Sequence, residues 1–348
     1  MQQRWKRRPE GSTWGDFGPD DQRGRLNLIT PEKVLLGIAE VKEGVSFCLS
    51  LPLDLPGGNK LNPRRHPPRR FATLRDQKQN FVFPFRTENP RHTDVVCDDV
   101  VLLYLQYSTQ WDSFAHVGSL FDADGDGVPE PVFYNGWRGG EHVVGAAERS
   151  DAEAWARFEG VEAKALGVEN MAVSCIQGRA VLIDLHAHFG RERRLVGYED
   201  LMRICETDGV TVEKGDMVCL HTGFGAALVE MQGNPDPHFL HNACAALDGR
   251  DPRLLQWITD SGLAILAADN YAVEALPART PEGAHAHAAM PLHEHCLFKL
   301  GVHLGELWYL SELAAFLRRR RRSRFLLTAP PLRLPGAVGS PATPVATA

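Results

Sequence analysis

A single α/β domain is the fold this sequence predicts, and three observations carry it. Apolar runs of strand type are mixed with segments of helical spacing along the whole chain. No internal repeat and no linker-like shift in composition divides it. Its 348 residues are long enough to build one large core.

The elements follow in chain order. Residues 1–30 are polar and rich in Gly and Asp, and read as an N-terminal arm. Thr30-Pro31-Glu32 gives an N-cap, a proline at the first helical position and an acidic first turn, and helical spacing continues over Val34–Val41. Val45–Leu53 alternates as a strand does. Gly57–Arg75, rich in Pro, Arg and Asn, reads as a long surface loop of the kind that is often functional. Asp99–Tyr107 is the best strand candidate of the N-terminal half. Asp122–Glu130 reads as a polar turn and Ser150–Phe158 as a helix.

The short apolar runs Ala180–Leu185, Met217–Thr222 and Gly262–Ala268 read as buried strands. Tyr198–Thr207, Pro252–Ser261, Pro291–Leu300 and Ser311–Arg319 read as helices, and Phe325–Ala329 as a further strand. The Gly/Pro/Ala-rich end, residues 336–348, is expected to be extended or partly frayed. One domain over residues 1–348 is the resulting organisation.

A net charge of −6 argues against a nucleic-acid partner. No run of about 18 apolar residues suggests a membrane-spanning helix. Gly11–Asp21 stands where a signal peptide needs apolar residues, so a cytoplasmic location is expected. Seven scattered cysteines without a CxxC pair read as reduced thiols.

Two clusters carry candidate chemistry. Gln106–His116 reads QYSTQWDSFAH and leaves a strong strand. If that strand runs on, Gln106, Ser108, Gln110 and Asp112 share one face, polar where core is expected, and such groups need partners or a ligand. A solvent-facing strand edge is the plain alternative. The second cluster is His285, His287, His293, His295 and His303 with Glu306. Histidine and carboxylate together suit a catalytic metal site, although any one histidine is more often a surface or satisfied core residue.

Other motifs have bland readings. Asp122–Gly127 resembles half of an EF-hand loop, but Phe133 stands where the twelfth-position glutamate belongs, which leaves an Asp/Gly turn. Arg318–Arg322 reads as a helix end whose cations complement the helix dipole. His186-Ala187-His188 follows a strand and is a further candidate lining.

With these residues the chain resembles the cyclase/kynurenine formamidase family of metal-dependent hydrolases. The resemblance runs from Trp14-Gly15-Asp16 and Gly24–Thr30 through Val45–Leu53, Gln177–Leu185, Lys214–Gly223 and Ala267–Glu274 to Leu292–Glu306 and Gly336–Pro341. The family signature H-x-G-T-H-x-D-x-x-x-H, laid on Gln106–His116, keeps Thr109, Asp112 and His116. It replaces two histidines by Gln106 and Gln110 and the glycine by Ser108. A downstream Tyr134-Asn135-Gly136 accompanies this form of the motif.

The resemblance implies a three-layer β/β/α, swivelling-type single domain with a pocket at one end of the sheet. It implies hydrolysis of an amide, formamide, lactam or lactone, with N-formylkynurenine and tryptophan catabolism as the family default. Asp112, His293 and Glu306 would be metal ligands and His116 the acid–base catalyst. Gln106 and Gln110 would be weak ligands or partners of a bound water.

Glutamine oxygens in place of imidazoles favour one divalent ion, Mn²⁺ over Zn²⁺. Trp111, Phe114 and Trp137, with Thr109, are expected to line the pocket of a small planar substrate. A homodimer or higher homo-oligomer is expected. A non-catalytic or metal-free small-molecule binder on the same scaffold is the alternative.

Overall fold

Nine strands form the central sheet of the computed structural model, which describes residues 3–146, 160–281, 283 and 286–348. They are β1 (Ser46–Cys48), β2 (Gln110–Asp112), β3 (Gln177–Asp184), β4 (Met217–His221), β5 (Ile265–Ala268), β6 (His303–Glu306), β7 (Arg324–Thr328), β8 (Gly339–Pro341) and β9 (Val345–Thr347). Their order is β1-β9-β7-β3-β4-β5-β6-β2-β8. Strands β3 to β6 run parallel, and the flanking pairs are antiparallel.

The parallel strands are buried on both faces, which is why they read as short continuous apolar runs. Ile183, Val218, Leu220, Leu266, Ala268 and Leu304 face a core shared with α2 (Tyr198–Asp208) and α3 (Pro252–Ser261). The alternate residues Leu182, Met217, Cys219, Ile265 and Ala267 face a second core, under α4 (Ser311–Arg320). Helix α1 (Pro31–Ala39) starts behind Thr30 with Pro31 at its first position and packs on β3 and β7. Gly37 makes this approach possible, because a Cβ there would meet the Gly178 and Arg179 backbone. Beside the main sheet, the described residues form six short two-stranded ribbons. One of them pairs Arg194–Val196 with Ala245–Leu247 and joins the first core.

Three expectations are corrected. The strand candidate Asp99–Tyr107 is a strand only over Asp99–Leu102, and it lies in an exposed ribbon with Arg69–Ala72. Strand propensity was right about conformation there, but it cannot tell a core strand from a projecting one. The terminal segment is extended but not frayed. Strand β8 forms one edge of the sheet, β9 lies between β1 and β7, and Ala346 and Ala348 are buried. The N-terminal arm is packed: Trp5, Trp14 and Leu26 are buried, and the Trp14 indole donates to the Phe298 carbonyl. The helix expected over Ser150–Phe158 lies outside the described residues.

On the second face of the sheet, His221 joins Asp184 (Nδ1 to Oδ1, 2.8 Å) and Ser311 (Nε2 to Oγ, 3.0 Å). The arrangement resembles a nucleophile triad, but Asp184 also pairs with Arg318 and accepts the Ala187 N–H as a helix cap. It serves as a structural tie. Burial alone would raise the Asp184 carboxyl, but its bonds to His221 and Arg318 outweigh that and bring it to about 2. Burial would lower His221, but Asp184 and Asp269 outweigh it and raise the imidazole.

Asp184 therefore adds stability above its unfolded value near 3.9, lost as pH falls towards about 2. His221 adds stability below its unfolded value near 6.5, lost as pH rises through its raised value. Asp184→Asn is expected to cost about 1–3 kcal/mol between pH 4 and 6.5, and about half as much at pH 3. Denaturant midpoints at pH 3 and 5.5 check this, and an equal loss at both pH values would count against the ion pair.

Candidate metal centre

Strand pairing assembles the site. In the β2–β6 register Glu306 lies opposite Gln110, and Leu304 opposite Asp112. Residues two apart share a strand face, so Gln110, Asp112 and Glu306 converge on the side of Leu304, which faces the first core. Glu306 ends the parallel strand β6, at the carboxyl end where open α/β sheets form their clefts. The fourth group, His293, comes from a helical turn at Pro291–His293 that continues as a π-helix over Glu294–Leu300.

Glu274 fixes that imidazole. It accepts the backbone N–H groups of Leu292 and His293 and the His293 Nδ1–H at 2.8 Å. His293 Nε2 then points at Glu306 Oε1, 3.2 Å away. The Gln110 amide donates to Asp112 Oδ1 and to Glu306 Oε2, each at 3.3 Å. All of these side chains are buried. His116 stands at the rim, with Nε2 3.8 Å from Asp112 Oδ1.

Burial and crowding shift the proton balance of the cluster. Burial, and then the neighbouring Glu306, push the Asp112 carboxyl well up. Burial would lower His293, but hydrogen bonds to Glu274 and Glu306 outweigh it and push the imidazole up to about 10. Burial would raise Glu306, but the bond to His293 lowers it. Burial, and then His293, push His116 down to about 4, so it is a neutral base at pH 7.

Ligand atoms of Asp112, His293 and Glu306 lie within 4.8 Å of one another. Asp112 Oδ2 and Gln110 Oε1 are buried acceptors with no hydrogen-bond donor among the described residues. Two orphaned oxygens beside a second carboxylate and an imidazole nitrogen fit a divalent ion, with oxygen donors in the majority.

The other expected site residues fall elsewhere. The strand breaks before Gln106, so the expected four-residue polar face shrinks to Gln110 and Asp112. Gln106 lies over Gly339 and lines a separate water-sized cavity. Ser108 bonds the Pro52 carbonyl. Thr109 is a clamp, donating to the Leu307 carbonyl at 2.5 Å and accepting the Leu51 N–H at 2.8 Å.

Trp111 points to the opposite face of β2, into the second core, where its indole donates to the Ala329 carbonyl. Phe114 is fully buried and stacks on His303, with ring centroids 3.8 Å apart. Trp137 packs under Arg4 and against His142. None of the three aromatics forms a substrate wall. Asn135, in left-handed backbone conformation, ties down the N-terminal arm through the Gly18, Pro19 and Asp21 carbonyls and the Gly15 N–H.

Among the described residues of the histidine cluster, only His293 enters the site. His295 bonds Thr259 and the Leu255 carbonyl. His287 lies by a surface cavity with Met290 and Glu294, and His285 is outside the described residues. His186 and His188 bond Gly190 and Asp208, away from the Asp112 cluster. Asp122–Gly127 forms a turn whose aspartates accept its own backbone N–H groups. Arg318, Arg320, Arg322 and Arg324 each pair with a carboxylate, and all seven cysteines are free. Among the described residues no helix is long and apolar enough to cross a membrane.

A buried carboxylate–histidine cluster at the carboxyl end of a sheet strand defines the class: an α/β protein built around a candidate metal centre. The sequence profile of the Cyclase family matches residues 49–275, and the chain belongs to that family. A crystal structure described as that of a novel cyclase is 30% identical, with a TM-score of 0.72 and 97% of each chain covered. Isatin hydrolase A from Ralstonia solanacearum shares the fold at 14% identity, with a TM-score of 0.55, 91% of this chain and 97% of that one. Isatin hydrolase A from Labrenzia aggregata does so at 14% identity and 0.53, covering 90% and 97%. A search among curated proteins finds no match.

Proposed function

We propose that the protein is a metal-dependent hydrolase that opens an amide, formamide, lactam or lactone bond. The observation that carries this reading is the buried Asp112–His293–Glu306 cluster with its two orphaned oxygens. Asp112, His293 and Glu306 would hold one divalent ion, with the Gln110 carbonyl as a weaker ligand. Such an ion polarises a carbonyl and lowers the pKa of water towards neutrality.

The chain's own groups do the rest. With an ion bound, Glu274 would hold the remaining proton of His293 on Nδ1, and Nε2 would give up the proton it shares with Glu306 and ligate. His116, neutral at pH 7, takes a proton from the attacking water and returns it to the leaving nitrogen or oxygen. Within this class N-formylkynurenine and an isatin-like lactam are the first substrates to try. Elemental analysis combined with a panel of formanilides, isatins and lactones tests the reading. A protein that holds no divalent ion and cleaves none of these would overturn it.

The second reading is a metal-free binder, and one observation favours it. The Gln110 amide already bridges both carboxylates, as a metal would. Gln110→His separates the two readings. A fourth strong ligand, a second imidazole nitrogen, is expected to raise zinc affinity about 10-fold or more and reduce the preference for manganese. Competitive titration with a chelator reads the change, and unaltered zinc binding would favour the binder.

A further inference from the structure

The long loop flagged in the sequence returns to the metal cluster. A turn closed by the Arg65 N–H to the Asn62 carbonyl places Asn62 and Arg65 against Tyr271, Gln106 and Leu307. Asn62 donates to the Tyr271 hydroxyl at 3.1 Å, and the Arg65 guanidinium donates to the Gln106 carbonyl at 2.5 Å. These side chains enclose a cavity of about 10 Å³, room for one water. Gln106 lies over Gly339, which pairs with Asp112, and Leu307 directly follows Glu306, so the cavity adjoins the cluster.

Arg65 is half-buried, yet among the described residues no carboxylate lies within ion-pair distance of it. Arg138, Arg179 and Arg322, comparably buried or more so, each close on a carboxylate, and Arg25 and Arg250 each fill their forks with two or more backbone carbonyls. A guanidinium presents five donors in a fork that matches a carboxylate, and here one hydrogen bond is filled.

We propose that Arg65, flanked by Asn62 and Tyr271, anchors a carboxylate of the substrate. The substrate would then be a small organic acid whose amide or ester carbonyl is presented to Asp112, His293 and Glu306. One carboxylate oxygen would occupy the cavity. This rests on the hydrolase reading, because it assigns the neighbouring cluster to the scissile bond.

The test uses manganese-loaded full-length protein and two probes of one shape, 2-aminobenzoate and neutral 2-aminobenzamide, titrated by calorimetry. The acid is expected to bind about ten-fold or more tighter than the amide. Arg65→Gln should remove that margin, and Arg65→Lys should restore part of it. Amide binding and manganese affinity should stay within about two-fold. Turnover of 2-formamidobenzoate against formanilide should show the same loss, carried by KM.

Equal losses for acid and amide, or an acid margin that survives in Arg65→Gln, overturn the proposal. Strengthened manganese binding with the margin intact also overturns it and makes Arg65 a counter-charge of the cluster. If the protein turns nothing over while the margin still depends on Arg65, the anchor stands and the hydrolase reading fails alone.

Discussion

Asp112→Ala is expected to lose divalent-metal binding by more than about 100-fold and all turnover with it. The substitution removes one of only three strong ligands, a larger loss than the roughly 10–100-fold that follows when an outer partner of a ligand is removed. The stability change separates this from simple damage. Burial and the neighbouring Glu306 push the Asp112 carboxyl up, so without metal its charge is held at a cost. The metal-free variant should therefore melt no lower than the metal-free parent. It should lose the rise in Tm that saturating metal gives the parent, since a ligand that binds only the folded state stabilises it. Thermal melts with and without manganese read both effects. A variant that still shows the metal-dependent rise would remove Asp112 from the ligand set.

His116→Ala is expected to cut turnover by about 10²–10⁴-fold, the usual share of a general acid–base group. Its imidazole is 3.8 Å from Asp112 and bonds no other cluster member, so metal content should be unchanged. Added imidazole should restore part of the rate by entering the vacated space. Full activity on the true substrate, or loss of the metal together with the rate, would show that His116 does not act as the base.

The main ligand candidates were legible because they are fixed by pattern. Asp112, His293 and Glu306 were found through a motif resemblance, and the strand register then brings them together. The parallel strands were legible because burial on both faces leaves apolar runs that polar residues interrupt cleanly.

What failed did so for identifiable reasons. Gln106 was placed by extending a strand whose end depends on tertiary pairing, since β8 covers β2 only over Gln110–Asp112. Trp111 was misplaced although the period of two puts it opposite Asp112, so the signal was present and unused. Phe114 and Trp137 were read as pocket walls because an aromatic near a polar motif looks alike in core and in cleft. Glu274 gave no signal beyond its place in a family-like segment. Its role comes from N–H groups that only the folded helix start presents. Arg65 was hidden in a loop whose composition says surface.

The placement of the two last strands bears on how this chain matures. Vectorial synthesis delivers β2 early, yet both of its neighbours, β6 and β8, lie about 190 and 230 residues downstream. At the far side β1 waits for β9 in the same way. Such distant pairings make for slow closure, because the entropy of a long loop must be overcome before any contact rewards it. Until residues 303–341 have emerged from the ribosome, the strand bearing Gln110 and Asp112 has unpaired edges open to any sticky neighbour. The nascent protein therefore leaves the strand that carries two of its candidate metal ligands open to misassembly for much of synthesis, and a chaperone that shields strand edges would act there.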